Sequence, residues 1–310
     1  MTGLFSFLYY GLLLILYLQD LIGGVTFLFF LLLSLLILLI TRIVLRKKSY
    51  KRKITVAACM ILLLFCFEFL LIFYEGYTHR VSFYVEPETV YVNSGIYLIG
   101  VNKIDFENME SKKSVEELLN KQNAEYLDIH EITNRELYGS KNRKLLELLH
   151  LRKNSGERLR EFVYQYLGHE DPNLNKFINR DHTDSNSAEL GLALTGLFIE
   201  GDFQNNLEFA VTGSINKTGD VLKVKGIKEK IHIAEVSGFS YMIIPSENAE
   251  EAAKIQQEHH KEIQIFDVYH IDEAIQLINE LNDKAKLQSV GVFRRTGRAS
   301  GDVATWTSRF

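Results

Sequence analysis

The chain has 310 residues, 47% of them hydrophobic and 24% charged, with a formal net charge of −4 at pH 7. That length fits one or two domains with a full core, while the slightly acidic balance and the lack of a basic cluster interleaved with aromatics after residue 80 argue against general nucleic-acid binding. The two cysteines, Cys59 and Cys66, fall seven residues apart in one apolar run and read as small packing residues, not as a metal site or a disulfide framework.

The apolar residues crowd the N-terminus. Three runs are separable: "LFSFLYYGLLLILYL" from Leu4, "VTFLFFLLLSLLILLI" from Val25, and "ITVAACMILLLFCFEFLLIFY" from Ile54. A spanning helix needs roughly 20 apolar residues. The third run reaches that length alone and the first two reach it with their flanks, which predicts an all-α transmembrane region of about three helices, near 4–22, 23–43 and 54–74. No basic stretch precedes Leu4 and no small-residue cleavage site follows before the second run, a pattern that disfavours a signal peptide.

Between the second and third runs lies "RIVLRKKSYKRK", Arg42 to Lys53, with seven Lys or Arg. By the positive-inside rule this loop stays in the cytoplasm. The N-terminus is then cytoplasmic too, and the chain after Tyr74 is delivered to the extracytoplasmic side. The same loop could also bind anionic lipid. Glu68 sits inside the third run towards its outer end, and an intramembrane carboxylate is a candidate functional group unless it is protonated or reaches the interface.

Past Arg80 the pattern is that of a soluble domain, predicted over 81–285. "VSFYV" and "VYVNSGIYLIGV" read as strands. "KSVEELLNKQNAEYLDIHEIT" reads as partly helical, and "NRKLLELLHLRKNSGERLREFVYQYL" as strongly so, with Leu and Val recurring at three and four. "NKFINR" is a possible short strand, and a helix headed by Ser187 follows to about Ile199. Then come strands in "LEFAVTGSI" and "GDVLKVKG", a helix in "IKEKIHIAEVSG", a strand and turn in "SYMIIPSEN", a helix in "AEEAAKIQQEHH", a strand in "EIQIFDVYH" and a last helix in "IDEAIQLINEL". The alternation implies an α/β or α+β domain. The tail from about 286 changes composition abruptly and reads as disordered or foreign to the domain.

No GxxxxGK[ST] loop, GxGxxG or HExxH occurs, so neither ATP nor a dinucleotide is expected by a recognised route, and no cofactor or metal is expected. "EHHKE" at 258–262 looks metal-like, but adjacent histidines on a helix point about 100° apart, and a solvated face is the simpler reading.

Ser187 stands at the mouth of a smooth apolar run, "DSNSAELGLALTG". It could be an ordinary first-turn residue of a core helix capped by Asp184 or Ser185. As a nucleophile it needs a partner that takes its proton. His182 and Asp184 are too near in sequence to wrap into a triad, whose members usually come from separate elements. A lysine serves only where its ammonium is desolvated or crowded. Lys230, with Ile227, Ile231 and Ala234 around it at helical spacing, has that setting; Lys225 and Lys228 are more polar.

"DSNSAELGLAL", "AVTGSI" and "GDVLKVKGIKEKIHIAEVSGFSYMIIPSENAEEA", in this order, resemble the proteolytic domain of the Lon protease family. That family carries an Asp-Gly-Pro-Ser-Ala-Gly segment, a Met-Thr-Gly-Glu-Ile strand, a Gly-Gly-Ile-Lys-Glu-Lys helix and an Ile-Pro-x-Glu-Asn turn. The close match runs from Asp184 to about Ala252, and a weaker one in element order from about Val81 to Leu281. The resemblance implies a Lon-type fold of mixed sheets with packed helices. It puts the family's nucleophile on Ser187 and its catalytic lysine on Lys230, with the spacing between them that the family pattern requires. Thr212 would hold the lysine amine, Asp184 would shape the turn before the serine, and backbone N–H groups around Ser187 would bind the oxyanion.

The chain departs from the pattern at Ser185-Asn186 for Gly-Pro, Glu189 for Gly, Val211 for Met, Ser214 for Glu and Lys225 for Gly. Glu189 puts bulk and charge where the family leaves space beside the nucleophile; it could pair with a lysine or narrow the substrate groove. The expected function is thus an ATP-independent, membrane-anchored serine endopeptidase with a Ser187–Lys230 dyad, acting on unfolded or flexible polypeptides. The alternative is a catalytically inactive Lon-like domain serving as a membrane-bound scaffold. Retention of Ser187, Lys230, Thr212 and Asp184 together favours the enzyme. The arrangement resembles membrane-anchored, extracytoplasmic Lon-like proteases of Gram-positive bacteria, and by family analogy implies a bacterial source and a homo-oligomer, a hexamer, in the lipid bilayer, with no ATP and no nucleic acid as partners.

Overall fold

A computed structural model describes residues 2–45, 47–153, 155–179, 186–259 and 263–299. The chain divides into two compact units, Met1–Tyr84 with Asn102–Lys153, and Val85–Val101 with Asn154–Phe310.

The first unit begins with three apolar helices, α1 (Thr2–Leu18), α2 (Gly24–Val44) and α3 (Lys48–Glu68), the last prolonged by a 3₁₀ segment, Phe69–Phe73. Two of these, α2 and the continuous Lys48–Phe73, are long and apolar enough to cross a membrane, and only 22% and 28% of their apolar windows is buried. At ~1.5 Å per residue, the 17 residues of α1 span about 26 Å, short of the ~30 Å hydrocarbon core. Where three spans are expected, therefore, two helices meet the length. All three nevertheless pack together, with Tyr10, Leu13 and Tyr17 of α1 buried against Phe27, Leu28 and Leu31 of α2 and Leu71.

The helices carry a small α+β layer. Strand β1 (Tyr77–Phe83) leads across to the second unit, which contributes β2 (Ile96–Leu98), and the chain returns as β3 (Asn102–Glu107), α4 (Lys112–Lys121), β4 (Asp128–Glu131) and α5 (Asn134–Leu148). β1 is the centre of an antiparallel sheet ordered β3-β1-β4, with Val81 opposite Ile104 and Ile129. Val81, Ile129, Val115 and Leu119 form its core against α4. Helix α4 starts with a capping box at Ser111 and Ser114, and α5 with one at Thr133 and Glu136, each satisfying backbone N–H groups left open at a helix start.

The second unit continues with α6 (Ser155–Leu167), α7 (Pro172–Ile178), a 3₁₀ turn Asn186–Ala188, α8 (Glu189–Glu200), β5 (Phe209–Val211), β6 (Ser214–Ile215), β7 (Val221–Leu222), α9 (Ile227–Val236), β8 (Tyr241–Pro245), α10 (Ala249–His259), β9 (Gln264–Val268) and α11 (Ile271–Ala299). Its main sheet is parallel, ordered β2-β5-β8-β9, with α9 linking β5 to β8 and α10 linking β8 to β9; β6 and β7 form a separate antiparallel pair. Parallel strands covered on both faces are apolar throughout, as Phe209, Ala210, Val211, Met242, Ile243 and Ile244 are. Helix α8 is buried from Glu189 to Leu197, which explains why "LGLAL" has no polar face. Gly201 closes it in the left-handed conformation, φ 90°.

Three sequence readings change. "NKFINR" lies mostly in helix α7, not in a strand: the Asp171 side chain accepts from the N–H groups of Asn173 and Leu174, and Pro172 takes the first helical position. The long helix read over 142–167 is two helices, broken where His150 turns left-handed at φ 55°. The last helix does not end near Leu281 but runs to Ala299, so much of the segment read as a tail is helical. Residues 102–153 belong to the same compact unit as the N-terminal helices. Within that unit Glu68, fully buried, is answered by Lys141 Nζ at 2.5 Å and by the hydroxyls of Tyr10 at 2.5 Å and Tyr138 at 2.9 Å.

Candidate active site

Ser187 lies in the 3₁₀ turn that feeds α8, and the segment after β5 runs beside it. Gly213 N–H donates to Ser187 O (2.9 Å), and Leu190 N–H donates to Gly213 O (3.0 Å), so two backbone bonds lock the serine turn to the Thr212–Ser214 segment. The approach is close there: a Cβ on Gly213 would come to 2.9 Å from Leu190 Cδ2 and 3.1 Å from its Cβ. Thr212 is held from its other side by its N–H donating to Ile243 O of β8 (3.1 Å).

Lys230 sits one turn into α9, on the face it shares with the fully buried Ile227, Ile231 and Ala234. Its Nζ donates to Thr212 Oγ1 at 2.8 Å, and Thr212 Oγ1 donates to Ser187 O at 3.3 Å. Thr212 is thus the physical link between the lysine amine and the serine turn. All three side chains are withdrawn from solvent: Ser187 is 5% exposed, Lys230 3% and Thr212 0%. Lys230 thus has the desolvated setting for which the sequence singled it out. The structure brings Ser187, Thr212 and Lys230 together; Asp184, and with it the turn before the serine, lies outside the described residues.

The position of α9 depends on a residue to which the sequence assigned no role. Asn248, fully buried after β8, accepts from Val224 N–H (2.9 Å) and donates to Val224 O (3.0 Å). This paired grip fixes the loop that turns at Gly226, φ 74°, into the helix bearing Lys230. The Ile-Pro-x-Glu-Asn turn was the available signal, and its asparagine is the part that bonds Val224, just before α9.

Glu189 does not project into a groove or pair with a lysine. It is fully buried, and its Oε2 accepts from Ser214 Oγ (2.5 Å) and Ile215 N–H (2.9 Å). Two departures from the Lon pattern therefore meet: where the pattern has Gly beside the serine and Glu on the strand, this chain has Glu189 and Ser214, hydrogen-bonded to each other. Swapping the two residue types would leave one carboxyl at this junction, supplied from the opposite element. Burial pushes the Glu189 carboxyl above the usual carboxylate range, opposed by the Ser214 and Ile215 hydrogen bonds and by the charge of Arg158, and its Oε1 is buried without a hydrogen-bond partner. Among the described residues no group of His, Cys, Asp and Glu has the arrangement of a metal site.

Residues 182–280 match the Lon protease (S16) C-terminal proteolytic domain. The chain is 41% identical over 85 residues to a Lon protease of Lawsonia intracellularis, covering 27% of this chain and 10% of that protein. It is 36% identical over 92 residues to an archaeal Lon protease of Halobacterium salinarum, covering 30% and 13%, and 32% identical over 101 residues to one of Methanocaldococcus jannaschii, covering 33% and 14%. The chain thus spans only about a tenth to a seventh of the length of these relatives. The matched segment is similar to the C-terminal proteolytic domain of Lon proteases.

Proposed function

We propose that this protein is a membrane-anchored serine endopeptidase in which Ser187 is the nucleophile and Lys230 the general base, working without ATP on unfolded or flexible extracytoplasmic polypeptides. The observation that carries the reading is the buried Lys230–Thr212–Ser187 connection, with its 2.8 Å amine–hydroxyl contact. Lys230 takes the proton of Ser187 Oγ as the oxygen attacks the scissile carbonyl. It then returns that proton to the departing amine, leaving an acyl-enzyme on Ser187. Water, deprotonated by the same amine, attacks the ester and restores the serine. Thr212 is a positioning residue: it holds the amine and ties it to the serine turn. Asp184 is assigned the shaping of that turn.

Anchoring is supported by the two long apolar helices and their outward-facing side chains. The orientation, protease outside and N-terminus inside, follows from the basic Arg42–Lys53 loop. It agrees with where the other end of the helices is tied. Asn134, which opens α5, donates through Nδ2 to Tyr17 O (2.8 Å) and Ile22 O (3.0 Å) in the turn between α1 and α2, at the end opposite the basic loop. The same tie supports counting α1 with the bundle, as a third, shorter helix. A bacterial source and a homo-oligomeric ring belong to the same reading by family analogy.

The test is digestion of casein by the purified full chain in detergent, without nucleotide, beside Ser187→Ala. Fragmentation by the wild type and none by the variant supports the proposal. An inert wild type, or equal fragmentation by both, contradicts it.

A further inference from the structure

We propose that α5 is an interfacial helix whose C-terminal end lies in the outer face of the lipid bilayer, giving the first unit a second membrane contact besides its N-terminal helices. The proposal rests on the reading that α2 and α3 cross the membrane.

The argument starts from spacing. Asn134, Tyr138, Lys141, Leu145 and Leu148 follow one another at alternating steps of four and three, and so form one stripe on α5. The first three members of the stripe are engaged by the apolar helices. Asn134 bonds the α1–α2 turn; Tyr138 donates to Glu68 and its ring lies 6.2 Å from that of Tyr17; Lys141 reaches Glu68 with its Nζ 4.3 Å from the ring centre of Phe67. Glu68 lies within the long apolar Lys48–Phe73 helix, about five residues or ~7 Å before its outer end. The stripe is thus applied to the bundle at the depth where an outer leaflet begins.

Further along, the stripe turns apolar and loses its cover. Leu148 is 68% exposed and Leu149, which caps the helix, 55%. The outer end of the bundle, against which α5 packs, is apolar and exposed as well, at Phe69, Ile72 and Phe73. The exposed leucines therefore continue an apolar surface that begins on the bundle. Lys144 and Arg152 beside them suit anionic headgroups. A lipid occupant explains why the stripe changes from polar to apolar where the protein beneath it ends.

The test uses the full chain with Trp306→Phe, reconstituted in phosphatidylcholine–phosphatidylglycerol vesicles in which part of the lipid carries brominated chains. Single tryptophans report from Leu148→Trp and Leu149→Trp, from Arg143→Trp on the opposite side of α5, and from Ile37→Trp, 55% exposed in α2, as the spanning reference. Quenching by about twofold or more at 37, 148 and 149, with position 143 spared, is expected. Quenching at 37 but not at 148 or 149 overturns the proposal. So does emission at 148 or 149 that shifts with protein concentration and ignores bromine, which marks a second copy of the chain as the occupant. Equal quenching at 143 also refutes a one-sided contact. No quenching at 37 removes the spanning reading itself, and this proposal with it.

Discussion

Thr212 has one hydroxyl and two duties, accepting from Lys230 Nζ and donating to Ser187 O. Thr212→Val removes both and leaves a buried amine without this partner, a loss of ~1–3 kcal/mol in stability. It should lower kcat by about 10–100-fold with little change in KM, while Thr212→Ser, which keeps the oxygen, should retain most of the rate. Equal kinetics for the Val variant and wild type would count against the link. Glu189 yields a pH prediction. Its folded-state pKa lies above its unfolded value because burial disfavours the charge. Such a group contributes stability below its unfolded pKa, and that contribution is lost as pH rises through the folded value. Thermal melts of Glu189→Gln should therefore gain on wild type as pH is raised from about 4 to 8; a difference that does not vary with pH would refute it. The carboxyl exchange makes a separate prediction. Glu189→Gly and Ser214→Glu should each lower the melting temperature, and together they should recover it, since the double variant again has one carboxyl at the junction. Ser187, Lys230 and Thr212 were legible in the sequence because each stood in a spaced motif. The inward turn of Glu189 was not, because it depends on Ser214 arriving from another element. Asn248 was visible as a motif letter, but its grip on Val224 needs the fold.

At the level of elements, the attachment of α5 to the apolar helices rests on the Glu68–Lys141 pair, both members fully buried. Breaking one side of such a pair leaves an uncompensated charge, at ~3–5 kcal/mol. Glu68→Gln and Lys141→Met should each lower the melting temperature sharply in detergent, and Glu68→Leu combined with Lys141→Met should recover much of the loss. If the single variants melt like wild type, the pair is not what joins these elements. The sequence marked Glu68 as unusual, yet its partner lies 73 residues on, and no local pattern connects them. The same limit explains the element errors. Helix α7 was missed although Asp171-Pro172 is a good start signal, because seven residues carry too little periodicity. The break at His150 was missed because a left-handed residue other than glycine leaves no mark in an apolar pattern. By contrast, the alternation of α9, β8, α10, β9 and α11 was readable, since each buries a clear stripe or an unbroken apolar strand.

For the whole molecule, the account is one unit built on a parallel sheet, with a segment similar to the Lon proteolytic domain, and another of apolar helices with a small antiparallel layer. If that division also separates catalysis from anchoring, the substitutions at Glu68 and Lys141 should alter stability in detergent while leaving Ser187 chemistry intact at temperatures where the chain stays folded. The measurement that tests the central claim most directly is where an acyl group lands. The full chain is mixed with an activated peptide ester, quenched in acid within one turnover, and mapped by mass spectrometry. The account predicts acylation at Ser187, none in Ser187→Ala, and acylation slowed by about 10²-fold or more in Lys230→Ala. Acylation elsewhere, or an unchanged rate without Lys230, would contradict it.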